Sequence, residues 1–142
     1  MNSKTPDLEL EYELEELYIL CKHWVQDISF VEDETRFFKN IAKKYSDTNN
    51  QGGDLSMVQL FKQKTIRQEA NIAALKEGIA KYLKSLEPYI SDLNKAMSID
   101  LIEEFAGLQT EVQALFDEFR NMRKELFDFA EKVIKEGTQI HE

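Results

Sequence analysis

The sequence has very few of the residues that cross-link chains or bind metals. One of its 142 residues is cysteine and two are histidine. The single thiol, Cys21, cannot form an intramolecular disulfide, which favours a reducing compartment, and we expect a cytoplasmic protein. Two histidines are too few for a three-histidine metal site, and neither follows a glutamate by three residues, as the di-iron bundles require. We therefore expect no catalytic, cofactor-binding or metal-binding residues and no cofactor.

Long apolar runs are also missing. The mean hydropathy is −0.49, and no run approaches the roughly 20 apolar residues that cross a bilayer. The opening segment from Met1 to Asp7 lacks the apolar core of a signal peptide. No membrane association is expected. The length suffices for one sizeable core, so we predict a single helical domain over residues 1–142.

Positive charge is in short supply, with 18 Lys and Arg against 27 Asp and Glu, a net charge of −9. Nucleic acid as a partner is therefore not expected, because phosphate neutralisation needs clustered basic residues. The charge is unevenly distributed: residues 1–34 carry −8, residues 35–97 carry +5 and residues 98–142 carry −6. A basic segment between two acidic ones favours three helices packed against one another, although a solvated surface explains the same pattern.

Apolar residues recur at alternating intervals of four and three over much of the chain, which is the spacing of a heptad seam, one apolar face of a long helix. An uninterrupted seam runs from Leu101 to Val133 and predicts a helix over residues 98–136. A second runs from Leu10 to Tyr45 and predicts a helix over about 7–46. A weaker one, from Phe61 to Leu93, predicts a helix over about 55–97. Helices near 57 Å long need partners of similar length to bury their seams.

These patterns predict an all-α fold, an antiparallel up-down-up three-helix bundle with a loop from Ser46 to Asp54. Pro88 is expected to kink the second helix, because it lacks a backbone donor and clashes with the preceding turn. If Ser85 instead caps a new helix there, the chain forms a four-helix bundle. The polar seam residues Thr35 and Gln68 come opposite each other in the three-helix arrangement, where they would fix the register. Alternatively, both tilt toward solvent.

A second, partial stripe of apolar residues accompanies the seam of the first helix. It contains Leu20, Phe30, Phe37 and Ile41. Phe127 and Ile134 form a similar partial stripe on the third helix. Each helix of a bundle meets two neighbours, so wide stripes belonging to the core are the default interpretation. The alternative is an exposed aromatic patch for a second protein chain. The candidate patch residues are Phe30, Phe37, Ile41, Asp27 and Glu34.

No catalytic motif accompanies these patterns. His23 and Asp27 share a helix face and could hold one weakly bound metal ion, but a surface pair is the simpler interpretation. Cys21 and His23 lie two residues apart and so do not face each other on a helix, which argues against a nucleophilic pair. We therefore predict a non-enzymatic interaction or scaffold protein, with a homodimer through the first helix as one form. The alternatives are a metal-binding or catalytic bundle whose carboxylate site is hidden, and a purely self-associating structural protein.

Three stretches carry a resemblance to other proteins. They are Trp24-Val25-Gln26-Asp27 with the following Glu34 and Phe37-Phe38, Phe61 with Ile66-Arg67-Gln68-Glu69, and Leu126-Phe127 with Phe129. Together they resemble small bacterial three-helix, coiled-coil-like proteins to which no activity is assigned. The resemblance spans most of residues 10–135 and consists of packing patterns. It implies a bundle and no particular activity.

Overall fold

The computed structural model describes residues 4–48, 52–92 and 97–141, with side chains for 13–46, 56–92, 97–132 and 135. Three helices lie within these described ranges: α1 (Lys4–Thr48), α2 (Gly52–Ser91) and α3 (Ile99–His141). No strand occurs within these ranges. The order and number of the helices confirm the predicted all-α, three-helix bundle.

The helix ends differ from the predicted ones. The predicted loop from Ser46 to Asp54 is wrong at both ends, because α1 continues to Thr48 and α2 already begins at Gly52, while 49–51 lie outside the described residues. The last turn of α1 accommodates a polar side chain, since the Ser46 hydroxyl donates to the Lys43 carbonyl at 3.3 Å. The predicted extension of α2 to residue 97 is also wrong, because the helix ends at Ser91.

Pro88 lies inside α2, in its last turn. The four-helix alternative is therefore wrong: Ser85 is a mid-helix residue whose hydroxyl donates to the Lys81 carbonyl at 3.1 Å. Pro88 has no amide hydrogen to donate to the carbonyl one turn back, so α2 lacks one backbone hydrogen bond there. The Pro88 carbonyl still accepts a hydrogen bond from the Asp92 amide at 3.1 Å. Ser98 caps α3 as predicted, with its hydroxyl 3.3 Å from the Leu101 amide.

The chain divides into two compact units, to each of which every helix contributes a segment. Unit 1 comprises Met1–Phe30 and Ile72–Gln113, and unit 2 comprises Val31–Asn71 and Ala114–Glu142. A single domain over residues 1–142 stays a prediction.

In unit 1 the seams of the three helices form an apolar core. Trp24 stacks on Phe105 with ring centroids 5.0 Å apart. The buried Tyr82 hydroxyl donates to the Leu101 carbonyl at 2.8 Å, which ties α2 to the start of α3. This contact and the approach of Gly78 to Leu108 show that α2 and α3 run antiparallel. The following side chains of unit 1 are buried: Leu14, Cys21, Ile28, Ile72, Leu75, Ile79, Tyr82, Leu86, Leu101, Leu108 and Val112.

In unit 2 aromatic rings dominate the core. Phe38 stacks on Phe119 with centroids 5.7 Å apart and also contacts Phe61 at 6.3 Å. Tyr45 meets Phe129 edge-on at 5.1 Å. Because this pair follows the Phe38–Phe119 pair along both helices, α1 and α3 run parallel. The pairing of α2 with α3 runs the other way, which gives the up-down-up order. The following side chains of unit 2 are buried: Val31, Thr35, Phe38, Ala42, Val58, Phe61, Thr65, Gln68, Leu115, Phe119, Met122 and Leu126.

Three polar side chains interrupt the core of unit 2. Thr35 and Gln68 are both buried, as is Thr65, so the interpretation that they tilt toward solvent is wrong. The Gln68 amide donates to the Leu115 carbonyl at 3.2 Å. The Thr65 hydroxyl donates within α2 to the Lys62 carbonyl at 2.6 Å. The Thr35 hydroxyl finds no hydrogen-bond partner in the part of the chain that the structure describes. Buried polar side chains disfavour other registers of the helices, because a shift of one helix along another would leave more of these side chains without a hydrogen bond.

Candidate interaction surface and cavity

The second apolar stripe of α1 lies on the surface. Phe30 in unit 1 and Phe37 in unit 2 are each 58% exposed, so the interpretation of these rings as core is wrong. Asp27 is exposed as well, whereas Ile41 and Glu34 are half-buried. The rings are excluded from the core because the seam already fills it. The buried seam positions of this part of α1 are Ile28, Val31, Thr35, Phe38 and Ala42.

An ion pair fixes the direction in which Phe37 points in unit 2. The Lys39 ammonium lies 3.1 Å from the Glu69 carboxylate, which puts α2 on the Lys39 side of α1. Phe37 lies two residues before Lys39, about 200° around the helix, and therefore on the flank turned away from α2. Ile41 lies one turn after Phe37 and continues the same flank.

The same reasoning gives the direction in which Phe127 points from α3. The Lys64 ammonium lies 2.8 Å from the Glu125 carboxylate, so α2 is on the Glu125 side of α3. Phe127 follows Glu125 by two residues, points away from α2 and is 61% exposed. The sequence pattern singled out Phe127 and Ile134 but did not include them among the candidate patch residues. The side chain of Ile134 lies outside the described ones.

Phe37, Ile41 and Phe127 consequently lie on one side of unit 2, and we call them the aromatic patch. The flanks of α1 and α3 that turn away from α2 border the same groove, because these helices are parallel neighbours joined by two ring contacts. Charged residues border the patch. Glu34 precedes Phe37 by one turn, and Arg123 precedes Phe127 by one turn and lies over the Phe119 ring, 5.6 Å from its centroid.

Unit 2 also contains a cavity of about 430 Å³ at the end where α1 and α2 are connected. The edge-on pair of Tyr45 and Phe129 forms part of its wall. The ion pair of Lys64 and Glu125 lies at its edge. The complete lining is Ile41, Ala42, Tyr45, Met57, Val58, Leu60, Phe61, Lys64, Glu125, Leu126, Asp128, Phe129 and Lys132.

Cys21 and His23 of unit 1 do not form a reactive pair. Cys21 is fully buried, and this burial raises the pKa of its thiol to about 11. A nucleophilic cysteine needs the opposite, a thiolate at neutral pH. Burial, with smaller contributions from Cys21 and Glu104, raises the pKa of Tyr82 to about 12. His23 is exposed, in agreement with the argument that it does not face Cys21.

The described residues contain neither a metal-binding cluster nor a membrane-spanning helix. No group of three or more His, Cys, Asp or Glu side chains comes close enough there to hold a metal ion. Within the same ranges, no helix has a stretch that is apolar enough over sufficient length to cross a bilayer.

Comparison with other proteins returned no match: no protein-family model, no curated protein and no solved structure matches this chain. The helices and their contacts therefore define the fold, and the surface and the cavity of unit 2 are the features that bear on function.

Proposed function

We propose that the protein is a cytoplasmic, non-enzymatic interaction module that associates with a second copy of itself through the aromatic patch. The observation that carries this proposal is the exposure of two phenylalanine rings on one side of unit 2, 58% for Phe37 and 61% for Phe127. The core beneath them is already closed by the stacked rings of Phe38 and Phe119. Exposed rings on one side of stacked core rings are typical of a contact surface.

The expected affinity follows from the rings. Fully burying a phenylalanine side chain contributes about 1.5–3 kcal/mol, so a ring that is already two-fifths buried contributes roughly 1–2 kcal/mol more. Four such rings in a symmetric dimer supply about 4–8 kcal/mol, which is comparable to the entropic cost of association. Rim contacts supply the remainder. We expect a weak dimer with a dissociation constant of the order of 10–100 µM.

Charge at the rim supports a second copy as the partner. Two chains that each carry −9 repel one another at long range. At the patch, however, Glu34 and Arg123 carry opposite charges on the two flanks. A two-fold axis applies each contact twice, so the Glu34 of each copy can approach the Arg123 of the other. The patch is thus self-complementary although the whole chain is acidic.

The test is the dissociation constant of three variants by analytical ultracentrifugation. Phe37→Glu combined with Phe127→Glu introduces two charges into the patch, and we expect a monomer of 16.6 kDa with an unchanged helical circular dichroism signal. Ile66→Glu is the matched control. Ile66 is 50% exposed and lies on α2, the helix from which the patch points away, so this variant should dimerise like the wild type. Phe30→Glu places a charge at the exposed ring position of unit 1, so it tests separately whether that unit takes part in the association.

Two outcomes contradict the proposal. If Ile66→Glu weakens association as much as the double variant does, the effect comes from added charge and not from the patch. If the double variant associates like the wild type, the patch is not the interface.

A further inference from the structure

We propose that the cavity of unit 2 is a binding site for a neutral, largely apolar small molecule. At about 430 Å³ it falls within the 300–1,000 Å³ typical of ligand sites. It draws on all three helices, so the bundle itself shapes it. Ile41 belongs both to the aromatic patch and to the cavity wall, but neither ring of the patch, Phe37 or Phe127, lines the cavity.

The walls are those of an apolar ligand site. Nine of the thirteen lining residues are apolar or aromatic. Phe61 and Leu126 are buried and form an inner wall, whereas Met57 and Leu60 are 52% and 60% exposed and border the opening. The edge-on contact of Tyr45 with Phe129 leaves ring surfaces against which a flat molecule can pack.

The charges of the cavity explain why the ligand should be neutral. The lining carries two lysines and two acidic residues, so its charges cancel. Lys64 and Glu125 already neutralise each other at 2.8 Å. An ionised ligand would lose hydration on entering apolar walls and would gain no unbalanced countercharge. A neutral and largely apolar molecule loses mainly apolar hydration, which favours binding.

The experiment uses 2-naphthol, which is neutral at pH 7, and wild-type protein carrying ¹³C-labelled methionine methyl groups. Met57 lines the cavity, whereas the buried Met122 of the same unit does not. We expect the Met57 methyl signal, assigned through Met57→Leu, to shift saturably on titration while the Met122 signal stays in place. No shift, or equal shifts of both signals, contradicts the site. The anion 2-naphthoate should bind at least tenfold more weakly, and equal or tighter binding would refute a neutral ligand class.

A pair of variants tests the location independently. Ala42→Leu fills the cavity from its buried side and should weaken 2-naphthol binding at least tenfold. Ala70→Leu makes the same change at an exposed position of unit 2 outside the cavity and should bind like the wild type. If Ala42→Leu fails to fold, the Met57 titration of the wild type still decides. Dissociation of the dimer by 2-naphthol would mean that the cavity is part of the interface, which contradicts a separate ligand site.

Discussion

Replacing Leu115 with alanine tests the core of unit 2. Leu115 is only 5% exposed, at a seam position of α3. Its carbonyl accepts the hydrogen bond of the buried Gln68 amide, which holds the backbone in place and prevents it from closing the void. We therefore expect the upper part of the range for Leu→Ala substitutions, a loss of about 3–5 kcal/mol in the free energy of unfolding.

The assay is urea unfolding followed by helical circular dichroism. With a slope of about 2 kcal/mol per molar urea, the expected loss lowers the midpoint by about 1.5–2.5 M. Leu60→Ala is the matched control, because it removes the same atoms from a side chain that is 60% exposed. It should change the free energy by about 0.5 kcal/mol or less. A loss below about 1 kcal/mol at Leu115, or equal losses at both sites, would show that the seam has been misinterpreted.

Two further predictions concern unit 1. Native protein should not react with iodoacetamide at pH 8, because burial raises the pKa of the Cys21 thiol from 9.0 to about 11, whereas urea-unfolded protein should react. Since the unfolded thiol loses its proton first, the stability contributed by the neutral thiol is complete below pH 9 and is lost as the pH rises through 11. This alkaline loss should be smaller in Cys21→Ala, and an identical pH dependence of the two proteins contradicts it. Gly78→Ala should stabilise the protein by up to about 1 kcal/mol, because alanine favours the helix. The added Cβ meets Leu108 at an ordinary 3.6 Å. Gly107→Ala, where nothing lies within 4 Å, is the control for helix propensity alone, and a destabilised Gly78→Ala in thermal melts contradicts the contact geometry.

The architecture was predictable because the spacing of apolar residues depends only on helix geometry. A face that repeats every seven residues must be covered, and three such faces in 142 residues leave few arrangements. Ser98 was predictable as a cap for a similar local reason. The other helix ends could not be predicted, because polar residues such as Ser46 suit a loop and an exposed last helical turn equally well.

The surface could be predicted only in part. Phe30 and Phe37 stood out as apolar residues beside the seam, but their spacing fits the flank of a wide core as well as a patch. The ion pairs Lys39–Glu69 and Lys64–Glu125 decide between the two, and no sequence pattern specifies which partner each lysine takes. The cavity was not foreseeable at all, since it is a gap between three helices and no single helix carries a signal for it.

The mass of the wild-type protein as a function of concentration is the direct test of self-association. Light scattering between about 5 and 500 µM spans the dissociation constant expected for the patch. Self-association predicts a mass that rises with concentration from 16.6 kDa toward twice that value and then levels off. A constant mass of 16.6 kDa throughout this range would contradict self-association through the aromatic patch.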